Sequence, residues 1–116
     1  MALVDLSKQV ALGIDIGGTN TKFGLVNHRG EILAKGSIKT ATHPNVEDFI
    51  EELYGEIKPL IDVHCSDKQF EGIGVGAPNA NYYTGTIEQA PNLPWKGSIP
   101  FAELMKKSLV TLYNDQ

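Results

Sequence analysis

Cysteine is almost absent: the 116 residues contain one, Cys65, so no disulfide and no multi-cysteine metal site can form within the chain. The thiol falls near the end of a helical stretch, reads as inert, and suits a reducing, cytosolic setting. Basic charge is scarce too, with 10 Lys and Arg against 14 Asp and Glu and a formal net charge of −4. Lys106–Lys107 is the only adjacent basic pair. Binding to DNA or RNA phosphates needs clustered cations, so a nucleic-acid partner is not expected. No apolar run approaches the ~20 residues of a membrane span. The segment ahead of Gln9 lacks the basic and apolar pattern of a secretory signal, so neither a membrane nor an export route is expected. His28, His43 and His64 show no metal-ligand spacing and read as solvated or structural, and no Ser-His-Asp or Cys-His set can be assembled. What remains, at 41% apolar and 21% charged residues, has the composition of one ordinary globular domain.

Gln9 to Ile16 is a nearly continuous apolar run, which predicts a strand buried on both faces at the centre of a sheet. Gly17–Asn20 is a turn, and Thr21 to Val26 alternates as a second strand. Asn27–Gly30 is a hairpin loop in which Gly30 can take positive φ. Glu31 to Thr40 is a third strand, completing an antiparallel meander. The period then lengthens: Val46, Phe49, Ile50, Leu53, Ile57, Leu60 and Ile61 share one face of a helix. Asn45 is placed as its N-cap, and Glu47 and Asp48 suit its positive end. Pro59 predicts a kink or an early break. Phe70 to Ala77 is a fourth strand with alternate glycines, which suggest close backbone approach by a neighbour or a ligand. Pro78 to Pro100 reads as a long, functional loop holding a short strand at Thr86–Glu88. A short helix over Phe101–Ser108 and a fifth strand over Leu109–Tyr113 complete the order βββαβαβ. That order predicts an α/β, ribonuclease-H-like domain spanning residues 1–116, with a five-stranded mixed sheet and flanking helices.

Three segments can carry chemistry. The first is Asp15–Lys22, Asp-Ile-Gly-Gly-Thr-Asn-Thr-Lys, joining two strands and therefore neither a Rossmann fingerprint nor a Walker loop. Gly17 and Gly18 let backbone N–H groups approach phosphate oxygens, Thr19 and Asn20 add donors, and Lys22 adds positive charge. Asp15, at a strand's carboxyl end, can hold Mg²⁺ directly or through water. A simple tight turn accounts for the same residues. The second is Gly72–Asn79 followed by Ala90–Trp95, where Asn side chains offer donor and acceptor to vicinal sugar hydroxyls. Trp95 lines a polyol pocket or anchors the core, and burial is the commoner use of so large an aromatic. The third is Asn114–Asp115, where Asp115 is placed to act as a general base and a plain turn is the alternative.

Taken together and in order, these segments resemble the N-terminal domain of the ROK family of repressors, open reading frames and kinases, bacterial glucokinases among them. The resemblance is carried by Asp15–Asn20 with Lys22, Gly72–Pro78, Gly85–Ile87 with Ala90–Trp95, and Asn114–Asp115, and extends over roughly residues 9–115. It implies an actin-like ATPase fold and ATP-dependent, Mg²⁺-assisted phosphorylation of a hexose or amino sugar. Gly17, Gly18, Thr19, Asn20 and Lys22 would face the ATP phosphates, and Asp15 would place Mg²⁺. Asn79, Asn92 and Asn114 would surround the sugar, and Asp115 would take the proton of the attacking hydroxyl. Glucose is the default substrate; N-acetylmannosamine, N-acetylglucosamine, fructose and mannose remain open.

One departure from the family pattern is local: the loop after Ala77 reads Pro-Asn-Ala-Asn where many relatives have Pro-Gly-Pro-Val-Asp. The other is length. Family kinases continue into a second lobe that carries a zinc site, further sugar ligands and the adenosine pocket. The expectation is an N-terminal lobe, inactive alone, self-associating or homo-oligomeric through the surface it bares. Two other readings compete. Sugar-sensing regulators of the same family place a helix-turn-helix ahead of the first strand, for which the residues before Gln9 are too few. A stand-alone interaction module is the third.

Overall fold

The computed structural model describes residues 9–65, 69–81, 83–88, 90 and 92–106. Its main sheet holds β1 (Gln9–Ile16), β2 (Asn20–Asn27), β3 (Ile32–Lys39) and β4 (Gln69–Gly76) in the order β3-β2-β1-β4. β1 pairs antiparallel with β2 and parallel with β4, and β2 pairs antiparallel with β3, so the sheet is mixed with β1 inside it. The hairpin between β2 and β3 closes as its residues dictate. Gly30 takes φ 83°, and the Asn27 side-chain oxygen accepts the amides of Arg29 and Glu31, each at 3.0 Å.

α1 (Val46–His64) lies across one face of this sheet and buries Val46, Phe49, Ile50, Leu53, Tyr54, Ile57 and Ile61. Beneath it the register stacks Leu12 beside Leu25, Ile14 beside Phe23 and Ile16 beside Thr21, all buried. Thr21 and Thr40 are the polar members of this apolar layer, and their hydroxyls bond to each other at 2.6 Å. That mutual bond removes most of the cost of placing two hydroxyls out of water. The opposite face carries Ala11, Gly13 and Asp15 of β1 beside Val26, Gly24 and Lys22 of β2, and Gly74 and Gly76 of β4.

The segment expected as a long loop with one short strand holds three: β5 (Ala80–Asn81), β6 (Thr86–Glu88), which is the strand expected there, and β7 (Ser98–Ile99), paired as a three-stranded antiparallel sheet. A short helix, α2 (101–106), follows. Ile87, Ala90, Leu93, Trp95, Phe101 and Met105 from this region join the same core as the main sheet. Tyr54 of α1 donates its hydroxyl hydrogen to the Met105 carbonyl at 2.9 Å, tying the two helices together. Burial pushes the Tyr54 phenol up to about 12, because the phenolate would lose its hydration.

Several expectations are corrected. β1 is central but alternates, its even-numbered residues buried and Ala11, Gly13 and Asp15 exposed. Ala and Gly extend an apolar run in sequence without having to be covered. The main sheet has four strands among the described residues; the fifth, expected over Leu109–Tyr113, lies outside them. Of the helix expected over Phe101–Ser108, residues 101–106 are described and helical. Asn45 occupies the N-cap position with extended backbone, but its side chain makes no capping bond and turns to Asp48 at 3.3 Å. α1 runs through Pro59 to His64 without a break, and Cys65 follows as its C-cap.

Candidate functional site

The turn between β1 and β2 is held by one internal bond, the Gly17 amide to the Asn20 carbonyl at 3.0 Å. A methyl group on Gly17 would stand 2.8 Å from that same carbonyl oxygen, so the closed turn requires a residue without Cβ. Gly18 is bare for a different reason. A methyl there would lie 3.0 Å from the Asn92 carbonyl oxygen and 3.2 Å from its Cβ. The first and second sequence motifs therefore meet, backbone against backbone. Thr19 and Asn20 are exposed at the tip, and the Thr19 carbonyl accepts the Thr40 amide at 2.9 Å.

Asp15 and Lys22 are partners across β1 and β2 and project onto the same open face of the sheet. Asp15 pairs on its other side with Gly76, and a methyl on Gly76 would come within 3.9 Å of Asp15 Oδ1. The alternate glycines of β4 thus lie beside the carboxylate. Together with Gly13, Gly74 and Ser37, these residues line an open concavity of about 870 Å³. No ion pair of the described residues involves Asp15 or Lys22, so both charges face solvent beside the glycine turn. This is a donor set that suits a phosphate–metal pair: a bare backbone turn, one cation, and one carboxylate at a strand end.

The asparagines divide. Asn92 is exposed and sits against Gly18. Asn79 has φ 56°, donates its amide to the Glu88 carbonyl at 3.1 Å and accepts the Glu88 N–H at 3.0 Å, so it also closes the approach to the small sheet. Asn114 and Asp115 lie outside the described residues. Trp95 is 3% exposed, packs in the core at a tilt against Phe49 with 4.7 Å between centroids, and donates its indole N–H to the His43 carbonyl at 3.1 Å. His43 in turn pairs with the Glu52 carboxylate. Thr40, which the sequence marks only as a strand end, and His43, which it reads as solvated or structural, connect the turn to the Trp95 segment. The available signal for Thr40 was a polar residue ending an alternating strand, which by itself has no direction.

An α/β domain with a mixed sheet, a glycine turn at the carboxyl end of β1 and a carboxylate beside it is the class of protein defined so far. Residues 11–113 match the ROK family, and the chain belongs to it. It is 27% identical over 103 residues to a glucokinase of Thermotoga maritima, covering 88% of this chain and 31% of that protein. It is 31% identical over 99 residues to a glucokinase of Halalkalibacterium halodurans, covering 78% of this chain and 28% of the relative. The chain thus spans less than a third of the length of these curated relatives. Among solved structures, a ROK family glucokinase from Streptomyces griseus in complex with glucose and AMPPNP superposes with a TM-score of 0.66 at 24% identity, over 87% of this chain and 30% of that one. A ROK family transcriptional regulator, a homologue of E. coli MLC, gives 0.70 at 17% identity over 89% and 26%. At such identities both likenesses speak for the fold alone.

Proposed function

We propose that the chain is the N-terminal, phosphate-binding lobe of an ATP-dependent hexose kinase, with glucose as the first substrate to test. The observation that carries this reading is the packing of Gly18 on Asn92 beside exposed Asp15 and Lys22. That packing brings the backbone of Asn92 against the glycine turn, which supports a reading in which the turn takes phosphate and the Asn92 carboxamide takes a sugar hydroxyl. In this reading the turn Gly17–Asn20, closed by the Gly17 amide on the Asn20 carbonyl, turns its remaining backbone amides, with the Lys22 ammonium, to the phosphates of bound ATP and offsets their charge. Asp15 holds Mg²⁺, which when bound neutralises phosphate charge. Asn79, Asn92 and Asn114 orient the sugar, and Asp115 accepts the proton of the attacking hydroxyl.

ATP consumption coupled to a panel of hexoses and amino sugars, run on the whole enzyme, tests the reading. Asp115→Asn is expected to lower kcat by about 10²–10⁴-fold with a smaller change in sugar KM, the usual scale for a positioned proton acceptor. Near wild-type kcat at saturating sugar and ATP would remove Asp115 from the role. The regulator reading makes the opposite demand: sugar binding without ATP turnover, and a DNA operator as partner.

A further inference from the structure

The connection between β3 and α1 lies between two segments already assigned to the site. A line of hydrogen bonds runs through it. The Thr40 amide donates to Thr19 of the glycine turn at 2.9 Å, and the His43 amide donates to Thr40 at 3.4 Å. The Trp95 indole N–H then donates to His43 at 3.1 Å. Each member is anchored sideways. Thr40 is fully buried and bonded to Thr21, His43 is paired with Glu52 of α1, and Trp95 is packed on Phe49. Trp95 is also three residues from Asn92, whose carbonyl backs onto Gly18. The turn and the Asn92 segment are therefore joined twice, once by direct contact and once through Thr40, His43 and Trp95. A single contact would leave the segment free to pivot, and the second attachment removes that freedom.

We infer that Trp95, through its indole N–H on the His43 carbonyl, is a positioning residue that fixes where Asn92 stands relative to the Gly17–Asn20 turn. The inference rests on the kinase reading, in which that spacing sets the distance between the sugar hydroxyl and the phosphate it attacks. Displacements on the order of 1 Å from a near-attack arrangement can cost about 10²-fold in rate. Trp95 itself, buried beneath the site, acts through Asn92. Two things distinguish tryptophan from phenylalanine here: the N–H donor, and a larger ring whose loss leaves a cavity and is read as a fall in melting temperature.

Trp95→Phe in the whole enzyme separates the two roles. The expected result is a fall in kcat per folded molecule of about tenfold or more, with the KM values for sugar and ATP within about twofold of wild type. Undiminished kcat per folded molecule, whatever the change in melting temperature, overturns the positioning role and leaves the kinase reading standing. A wild-type enzyme that phosphorylates no sugar of the panel overturns both. A measurement on the unmutated chain keeps the claim open to refutation even where Trp95→Phe fails to fold. Trp95 is the one tryptophan of these 116 residues, so segmental isotope labelling of this stretch within the whole enzyme leaves one indole N–H resonance whose hydrogen exchange can be followed alone. It is expected to exchange through the same opening as the Thr40 amide, with the same denaturant dependence. Indole exchange through a separate, easier opening while Thr40 stays protected overturns the inference.

Discussion

Replacing Gly17 by alanine tests the glycine turn without touching any ligand. The new methyl would stand 2.8 Å from the Asn20 carbonyl oxygen, the acceptor of the Gly17 amide's own bond at 3.0 Å. Both cannot be kept. If the turn opens, it forfeits one hydrogen bond, about 0.5–1.5 kcal/mol net. If it bends instead, a bond-angle distortion of roughly 7° costs about 1 kcal/mol. Either way the loss is about 0.5–1.5 kcal/mol, which corresponds to a fall in Tm of roughly 2–12 °C for a domain near this size. Gly13→Ala is the matched control, four residues earlier within β1 and with nothing within 4 Å of the added methyl. It should be neutral or stabilising by up to about 1 kcal/mol, because alanine narrows the unfolded ensemble. Thermal unfolding of the three proteins by circular dichroism, in parallel and at one pH, makes the comparison. Coincident melting of Gly17→Ala with wild type and Gly13→Ala would refute the steric reasoning.

Gly18→Val should disturb the Asn92 segment and nucleotide use together, raising KM for ATP and lowering kcat in the whole enzyme; unchanged values of both would reject the assignment of the turn. Thr21→Val should cost about 1–3 kcal/mol by leaving the buried Thr40 hydroxyl, now 2.6 Å from its partner, without one. The double variant Thr21→Val/Thr40→Val should recover part of that loss in a urea titration, and strict additivity would speak against the pair. Tyr54 titrates at about 12 in the folded chain against 10.0 for the free side chain. The folded state thus holds its proton longer, so this contribution to stability is complete below pH ~10 and is lost as pH rises toward ~12. Denaturant midpoints followed through that window should fall more steeply for wild type than for Tyr54→Phe.

The meander and the helix were legible because their periods are clean. Phe23 and Leu25 alternate with Lys22 and Gly24, and Phe49, Ile50, Leu53 and Ile57 return every three or four positions, so each segment can bury one face in one way only. The region after β4 was legible only in part. The strand at Thr86–Glu88 and the helix starting at Phe101 were expected and are present. β5 and β7, two residues each, are shorter than any period can declare, and their pairing with β6 comes from contacts distant in sequence. Ala102 shows the same dependence: its amide bonds to the Gly85 carbonyl at 2.9 Å, a pairing no local pattern announces. Pro59 misled in the other direction, since packing of the buried stripe from Val46 to Ile61 outweighs the one hydrogen bond that proline removes.

The site was half legible, and the division follows from what each residue has to do. Asp15, Lys22 and the two glycines can be read as a group because they are contiguous and their spacing carries the geometry of a strand–turn–strand. Asn92 is 74 positions beyond Gly18 in sequence, and nothing local says that its carbonyl will close on that glycine. Their meeting depends on Trp95, Leu93 and Ala90 being drawn into the core beneath α1. Burial of apolar side chains, which carries no functional information itself, is therefore what delivers a polar residue to the turn. The same logic explains why Gly18 is ambiguous in sequence. A bare backbone there serves contact with Asn92 and, in the proposed kinase, would also serve phosphate approach; the two uses are compatible only if the contact occupies one side of the turn and leaves Thr19 and Asn20 exposed on the other, as they are.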